Sequence, residues 1–102
     1  MNDAIEAFGA LAHGTRLSIF RALVVAGEPV SAGELASFLG VPSPTLSFHL
    51  KELKQAGVVS CERRGRSLMY SADFDTMRDL VRFVTQDCCG GLPKVRRAAG
   101  AA

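Results

Sequence analysis

Residues 31–57 read SAGELASFLGVPSPTLSFHLKELKQAG, and this stretch decides the fold. Ser31 and Glu34 have the spacing of a capping box, in which the serine oxygen accepts from the amide three residues on while the glutamate reaches back. A short helix through Leu39 follows. Gly40-Val41-Pro42 forms a tight turn, after which Ser43 caps a second helix with Pro44 in its first position, where the missing N–H costs nothing. This helix runs to about Ala56, and Gly57 supplies a left-handed cap. On a helical wheel Leu46, Leu50 and Leu53 point to the core, which places Pro44, Thr45, Ser47, Phe48, Lys51 and Glu52 outward or on the flanks. Two short helices around a tight turn predict a helix-turn-helix.

Beyond Gly57 the pattern changes from helical to alternating. Val59, Cys61, Leu68 and Tyr70 share one side of a predicted hairpin, Ser60, Glu62 and Ser67 the other, and Arg63-Arg64-Gly65-Arg66 forms a basic tip. Cys61 is expected to face the hairpin core opposite Leu68. Asp75 is placed to cap a last helix with Met77, Leu80, Val81 and Val84 at helical spacing, and Gly90-Gly91 with Pro93 stops it. Upstream, Ile5, Phe8 and Leu11 make the apolar stripe of a first helix, and Leu17, Phe20, Leu23 and Val24 that of a second. His13-Gly14-Thr15 separates these two, and Gly27-Glu28-Pro29 ends the second. The predicted fold is mainly α: a winged helix-turn-helix of five helices and a two-stranded hairpin wing, in the order ααααββα. Residues 1–91 form its domain and residues 92–102 a flexible tail.

A chain of 102 residues, 48% hydrophobic and 22% charged, suits one globular domain. A domain this small gains stability by packing a spare apolar face against a second copy. The net charge of +2 is unevenly spread. Residues 43–70 carry Lys51, Lys54, Arg63, Arg64 and Arg66 against Glu52 and Glu62, whereas residues 1–42 have Arg16 and Arg21 against four carboxylates. Positive charge thus gathers on the second helix of the motif and on the wing. Ser43, Pro44, Thr45, Ser47, Phe48 and Lys51 are the predicted major-groove set, small hydroxyls meeting phosphates or base edges and Phe48 packing on thymine methyl groups. Arg63, Arg64 and Arg66 are assigned to the flanking backbone or minor groove. The alternative is that Phe48 fills a local gap and the arginines only solubilise. An acidic start and the lack of a long apolar run point to a cytoplasmic protein that does not enter membranes. Three cysteines, an odd number with two adjacent, make no disulfide framework.

The segments Ala10-Leu-Ala-His-Gly-Thr-Arg16-Leu-Ser-Ile-Phe20, Gly33-Glu-Leu-Ala36, Pro44-Thr-Leu-Ser-Phe-His49-Leu-Lys-Glu-Leu53 and Ala56-Gly-Val58 resemble the signature segments of the ArsR/SmtB family of metalloregulatory repressors. The resemblance spans about residues 4–89. It implies a homodimer built on the first and last helices, an apo form seated on palindromic double-stranded operator DNA, and release by an inducer. Phe48 departs from the polar residue common at that place. His49 matches a family histidine, but its wheel position lies nearer the core than the groove, so its expected role is mainly structural and DNA contact the lesser one.

Family sites for zinc, cobalt or nickel use histidines and carboxylates on the last helix, which here has Asp75, Asp79 and Asp87 but no histidine. Sites for soft metals on the third helix need cysteines, and residues 31–39 contain none. Cys88-Cys89 remains, and it resembles the adjacent pair of arsenic-responsive members. Two neighbouring thiolates suit a soft trivalent metalloid, so arsenite, methylarsenic(III) and antimonite are the expected inducers, with Cys61 a weak third ligand. Cys88 shares the wheel face of Met77, Val81 and Val84 and alone reads as a packing residue, whereas Cys89 lies about 100° further round. A thiol enzyme is disfavoured, because no histidine is near the pair and a helix C-terminus raises a thiol pKa. A repressor of the same fold sensing thiol oxidation or persulfide is the nearer rival, weakened by the strain of a vicinal disulfide. A repressor without a metalloid inducer is the other.

Overall fold

The computed structural model describes residues 2–87. Its elements run α1 (Asn2–Leu11), α2 (Gly14–Ala26), β1 (Val30–Ser31), α3 (Ala32–Leu39), α4 (Ser43–Gln55), β2 (Val59–Arg64), β3 (Ser67–Ala72) and α5 (Phe74–Arg82), followed by a π-helical turn over Phe83–Asp87. This is the expected winged helix-turn-helix with one addition. The wing is not a lone hairpin but the larger part of a three-stranded antiparallel sheet in the order β1-β3-β2, because Val30 and Ser31 pair with Tyr70 and Met69.

The core forms where α4 crosses α1, α2 and α3. Leu46, Leu50 and Leu53 are fully buried among Ile19 and Leu23 of α2, Leu35 of α3, and Val58 and Val59 at the start of the wing. Ser31 caps α3 through the full capping box, its side chain accepting from the Glu34 amide while the Glu34 carboxylate accepts from the Ser31 amide. Gly40 ends α3 at φ 67°, a left-handed backbone that a side chain would strain. The α4 cap lies one residue earlier than expected: Pro42 is the N-cap, without a side-chain bond, and Ser43 is already helical.

Other differences have local causes. Asp73, not Asp75, caps α5 by accepting from the Thr76 amide, and this frees Asp75 to pair with Arg78. In the wing Cys61 lies opposite Tyr70 rather than Leu68, and Arg63 belongs to β2 opposite Leu68. The turn is therefore Gly65-Arg66 alone. Gly65 has φ 61° and no described non-glycine residue has positive φ, the combination of a type II′ hairpin turn.

The predicted stripes of α1, α2 and α5 are each divided. α1 packs through Leu11 and through Ala4, Ala7 and Ala10, whose small side chains let it approach the core closely, and Ile5 and Phe8 are left exposed. In α2 Ile19 is buried in place of Leu17. In α5 Met77 and Leu80 face inward, while Val81 and Val84 are exposed. The expected alignment of Cys88 with Met77, Val81 and Val84 involves a residue outside the described ones. Cys88, Cys89 and the expected tail at residues 92–102 lie outside the described residues. No helix among the described residues is long and apolar enough to cross a membrane.

Leu50 touches neighbours on all sides, so Leu50→Ala should leave a cavity and cost about 3 kcal/mol, against under about 0.5 kcal/mol for Val25→Ala on the exposed side of α2. Urea denaturation followed by circular dichroism checks both, and equal losses would contradict the core described.

Candidate nucleic-acid interface

The leucine seam of α4 determines what the helix shows to solvent. With Leu46, Leu50 and Leu53 inward, Ser43, Pro44, Thr45, Ser47, Phe48 and Lys51 are all exposed, Phe48 by 56%. No side chain caps the start of α4, so its first amides and three nearby hydroxyls are open to hydrogen-bond acceptors such as phosphate oxygens. On the wing Arg63, Arg64 and Arg66 are exposed, with Arg64 paired to Glu62 two residues back on β2. An exposed pair of this kind is worth little and yields readily to a phosphate.

His49 lies on the other side of α4. It is buried, and its Nδ1 accepts a hydrogen bond of 3.1 Å from Nε of Arg16 on α2. An Nδ1 that accepts belongs to a neutral imidazole with its proton on Nε2. The His13 ring stands 4.9 Å away and also caps α2, its Nδ1 accepting from the Thr15 amide. Burial, and then the nearby His13 and Arg16, hold the His49 pKa below its ordinary value. Phe48 presents its ring at a steep angle to His49, with 5.6 Å between centroids, and the Arg16 guanidinium carbon lies 5.7 Å from the centre of the Phe48 ring.

The arrangement suits a nucleic-acid reader. A helix-turn-helix domain family pattern matches residues 11–62. The chain is similar to the transcriptional regulator KmtR of Mycobacterium tuberculosis, 34% identical across 94% of this chain and 75% of that one. It is 35% identical to a probable mercury resistance operon repressor of Streptomyces lividans, across 84% of this chain and 74% of that protein. A solved homodimeric winged helix-turn-helix DNA-binding domain, Mb0332 from Mycobacterium bovis, described as a possible ArsR-family regulator, superimposes with a TM-score of 0.69 at 28% identity, over 78% of this chain and 73% of that one. This chain belongs to the ArsR/SmtB family of transcriptional repressors.

Within this ArsR/SmtB repressor the predicted groove residues and the wing arginines are on the surface, whereas His49 is buried beneath them with its ring against Phe48. Cys61 contacts Tyr70 across the wing, and burial, then the hydrogen bond to Cys61, raises the Tyr70 pKa. The predicted metalloid pair, Cys88 and Cys89, is outside the described residues. Sequence reasoning missed Arg16 and His13 as neighbours of the reading helix. They are 33 and 36 positions from His49, and only the packing of α2 on α4 brings them together.

The lowered His49 pKa has a defined sign. The unfolded chain keeps an ordinary histidine pKa of about 6.5, so it binds more protons than the folded chain as pH falls through that value, and stability is lost as pH drops below it. His49→Gln should flatten this decline in the urea midpoint. An unchanged slope would show that His49 does not govern it.

Proposed function

We propose that two copies of this chain bind palindromic operator DNA in the apo state and release it on capturing a trivalent arsenical or antimonite at Cys88-Cys89. The exposed face of α4 above its buried leucine seam carries this reading. In a dimer the two α4 helices enter successive major grooves about 34 Å apart, with the wings on the flanks. Thr45, Ser47, Phe48 and Lys51 meet the groove, Ser43 and Pro44 stand at the helix entry, and Arg63, Arg64 and Arg66 neutralise flanking phosphates.

The dimer reading rests on the apolar residues that the protomer core does not use: Ile5 and Phe8 on α1, and Phe74 and Val81 on α5. They lie on the first and last helices, and the similar Mb0332 domain is homodimeric. An inducer near the end of α5 then acts on the spacing of the two α4 helices without touching DNA. A coupling of about 3 kcal/mol lowers operator affinity roughly a hundredfold.

Thiolates select soft ions, and the similar Streptomyces protein is named for mercury, another thiophilic metal. Two thiolates leave trivalent arsenic one bond short. A methyl group completes methylarsenic(III), whereas arsenite needs hydroxide, a small thiol or another cysteine. Cys61 already lies against Tyr70 within the wing, which supports its place as the weaker third ligand.

Alanine at Arg63, Arg64 and Arg66 together should weaken binding to every duplex and reduce the slope of log affinity against log salt by nearly one for each phosphate that is no longer neutralised. Fluorescence anisotropy across a salt series reads both, and an unchanged slope would remove the wing from the interface. Cys88→Ser and Cys89→Ser should keep operator binding and lose release, Cys61→Ser should keep both, and methylarsenic(III) should release at least as well as arsenite. Normal release from the Cys88→Ser, Cys89→Ser double variant would refute the site.

A further inference from the structure

The geometry points to Arg16, a residue of α2 outside the DNA-facing surface described above, as a specificity-determining positioning residue that holds Phe48 where its ring reads thymine methyl groups. This inference rests on the α4 reading of the previous subsection and adds a residue that the reading does not contain.

Phe48 is more than half exposed, and an aromatic ring without lateral support on a helix surface exchanges rotamers freely. Freezing it on DNA then costs side-chain entropy. Here the ring has two neighbours. The His49 imidazole lies at a steep angle to it, and the Arg16 guanidinium lies 5.7 Å from its centre, within range of a cation–π attraction. The same guanidinium group is fixed in turn, because its Nε–H donates to the buried His49 Nδ1 at 3.1 Å. Arg16 is only partly exposed, in a crevice also lined by Glu6 of α1 and Glu52 of α4. Planarity lets one side chain do both things: a guanidinium donates in its plane and stacks with its face, and an ammonium offers no such face. Arg16 thereby ties the orientation of Phe48 to the α2–α4 packing.

The test uses the full chain and a duplex enriched from a random-sequence pool by the wild-type protein, in which thymines are replaced one at a time by uracil. That replacement removes only the C5-methyl group from the major groove. Wild type should lose about fourfold in affinity at one or two positions, the worth of one buried methyl group. Phe48→Ala should abolish this penalty. Arg16→Met should abolish it too, lowering affinity for the thymine duplex to that for the uracil duplex while the salt slope stays unchanged. Arg16→Lys should behave as Arg16→Met, because the lysine restores charge without the planar group, and it carries the test alone if Arg16→Met fails to fold.

A penalty that persists in either folded Arg16 variant while Phe48→Ala loses it overturns the inference and leaves the α4 reading intact. A salt slope that falls by about one in Arg16→Met and recovers in Arg16→Lys also overturns it, and makes Arg16 a direct phosphate ligand. A penalty absent from wild type, or retained by Phe48→Ala, removes Phe48 as the reader and the inference with it. Failure of the wild-type protein to enrich any duplex defeats the operator-binding reading itself.

Discussion

The surface that α4 presents depends on three leucines that solvent never meets. Leu46, Leu50 and Leu53 follow one another at the spacing of an α-helix face, and all three are removed from water among side chains of α2, α3 and the start of the wing. Each buried leucine contributes about 2 kcal/mol of hydrophobic transfer, enough together to fix the rotation of α4 about its axis. Once that rotation is fixed, the outward set of hydroxyls, Lys51 and Phe48 follows from the period of the helix. The face proposed to read bases is the reverse side of a packing solution.

The polar joint between α2 and α4 adds direction to this packing. Leucine side chains resist a large rotation of α4 but tolerate small shifts, because dispersion contacts are individually weak and undirected. The bond from Arg16 to His49 is directional, and it sits where burial makes an unpaired imidazole nitrogen costly. It therefore resists the small shifts of register and tilt that the apolar seam alone would permit.

Most of the architecture was legible because local chemistry announced it. The Ser31 and Glu34 capping box, the left-handed glycines after α3 and α4, and the α4 leucines each leave a mark within four residues. What was missed lacked such a mark or shared it with a competitor. β1 is two residues long and exists only through its pairing with Tyr70 and Met69, so no period could reveal it. Asp73 and Asp75 are equally good caps by residue type, and chain direction after β3 chose between them. In α1 bulk misled: Ile5 and Phe8 look like a core stripe, yet the alanines beside them allow the closer approach. The Arg16, His13, His49 and Phe48 group was invisible because its members come from α4 and the start of α2, and the guanidinium beside Phe48 belongs to a residue 32 positions away.

The small strand β1 has one further consequence. Ser31 both pairs with Met69 of the wing and caps α3, so one residue belongs at once to the sheet and to the helix-turn-helix. A swing of the base of the wing relative to α3 would have to break this pairing or the α3 cap. On the proposed operator-binding reading, this shared residue sets the distance between α4 and the wing, so a base pair inserted between the sites they would meet has to be matched by a change in the twist of the DNA or by breaking the β1–β3 pairing.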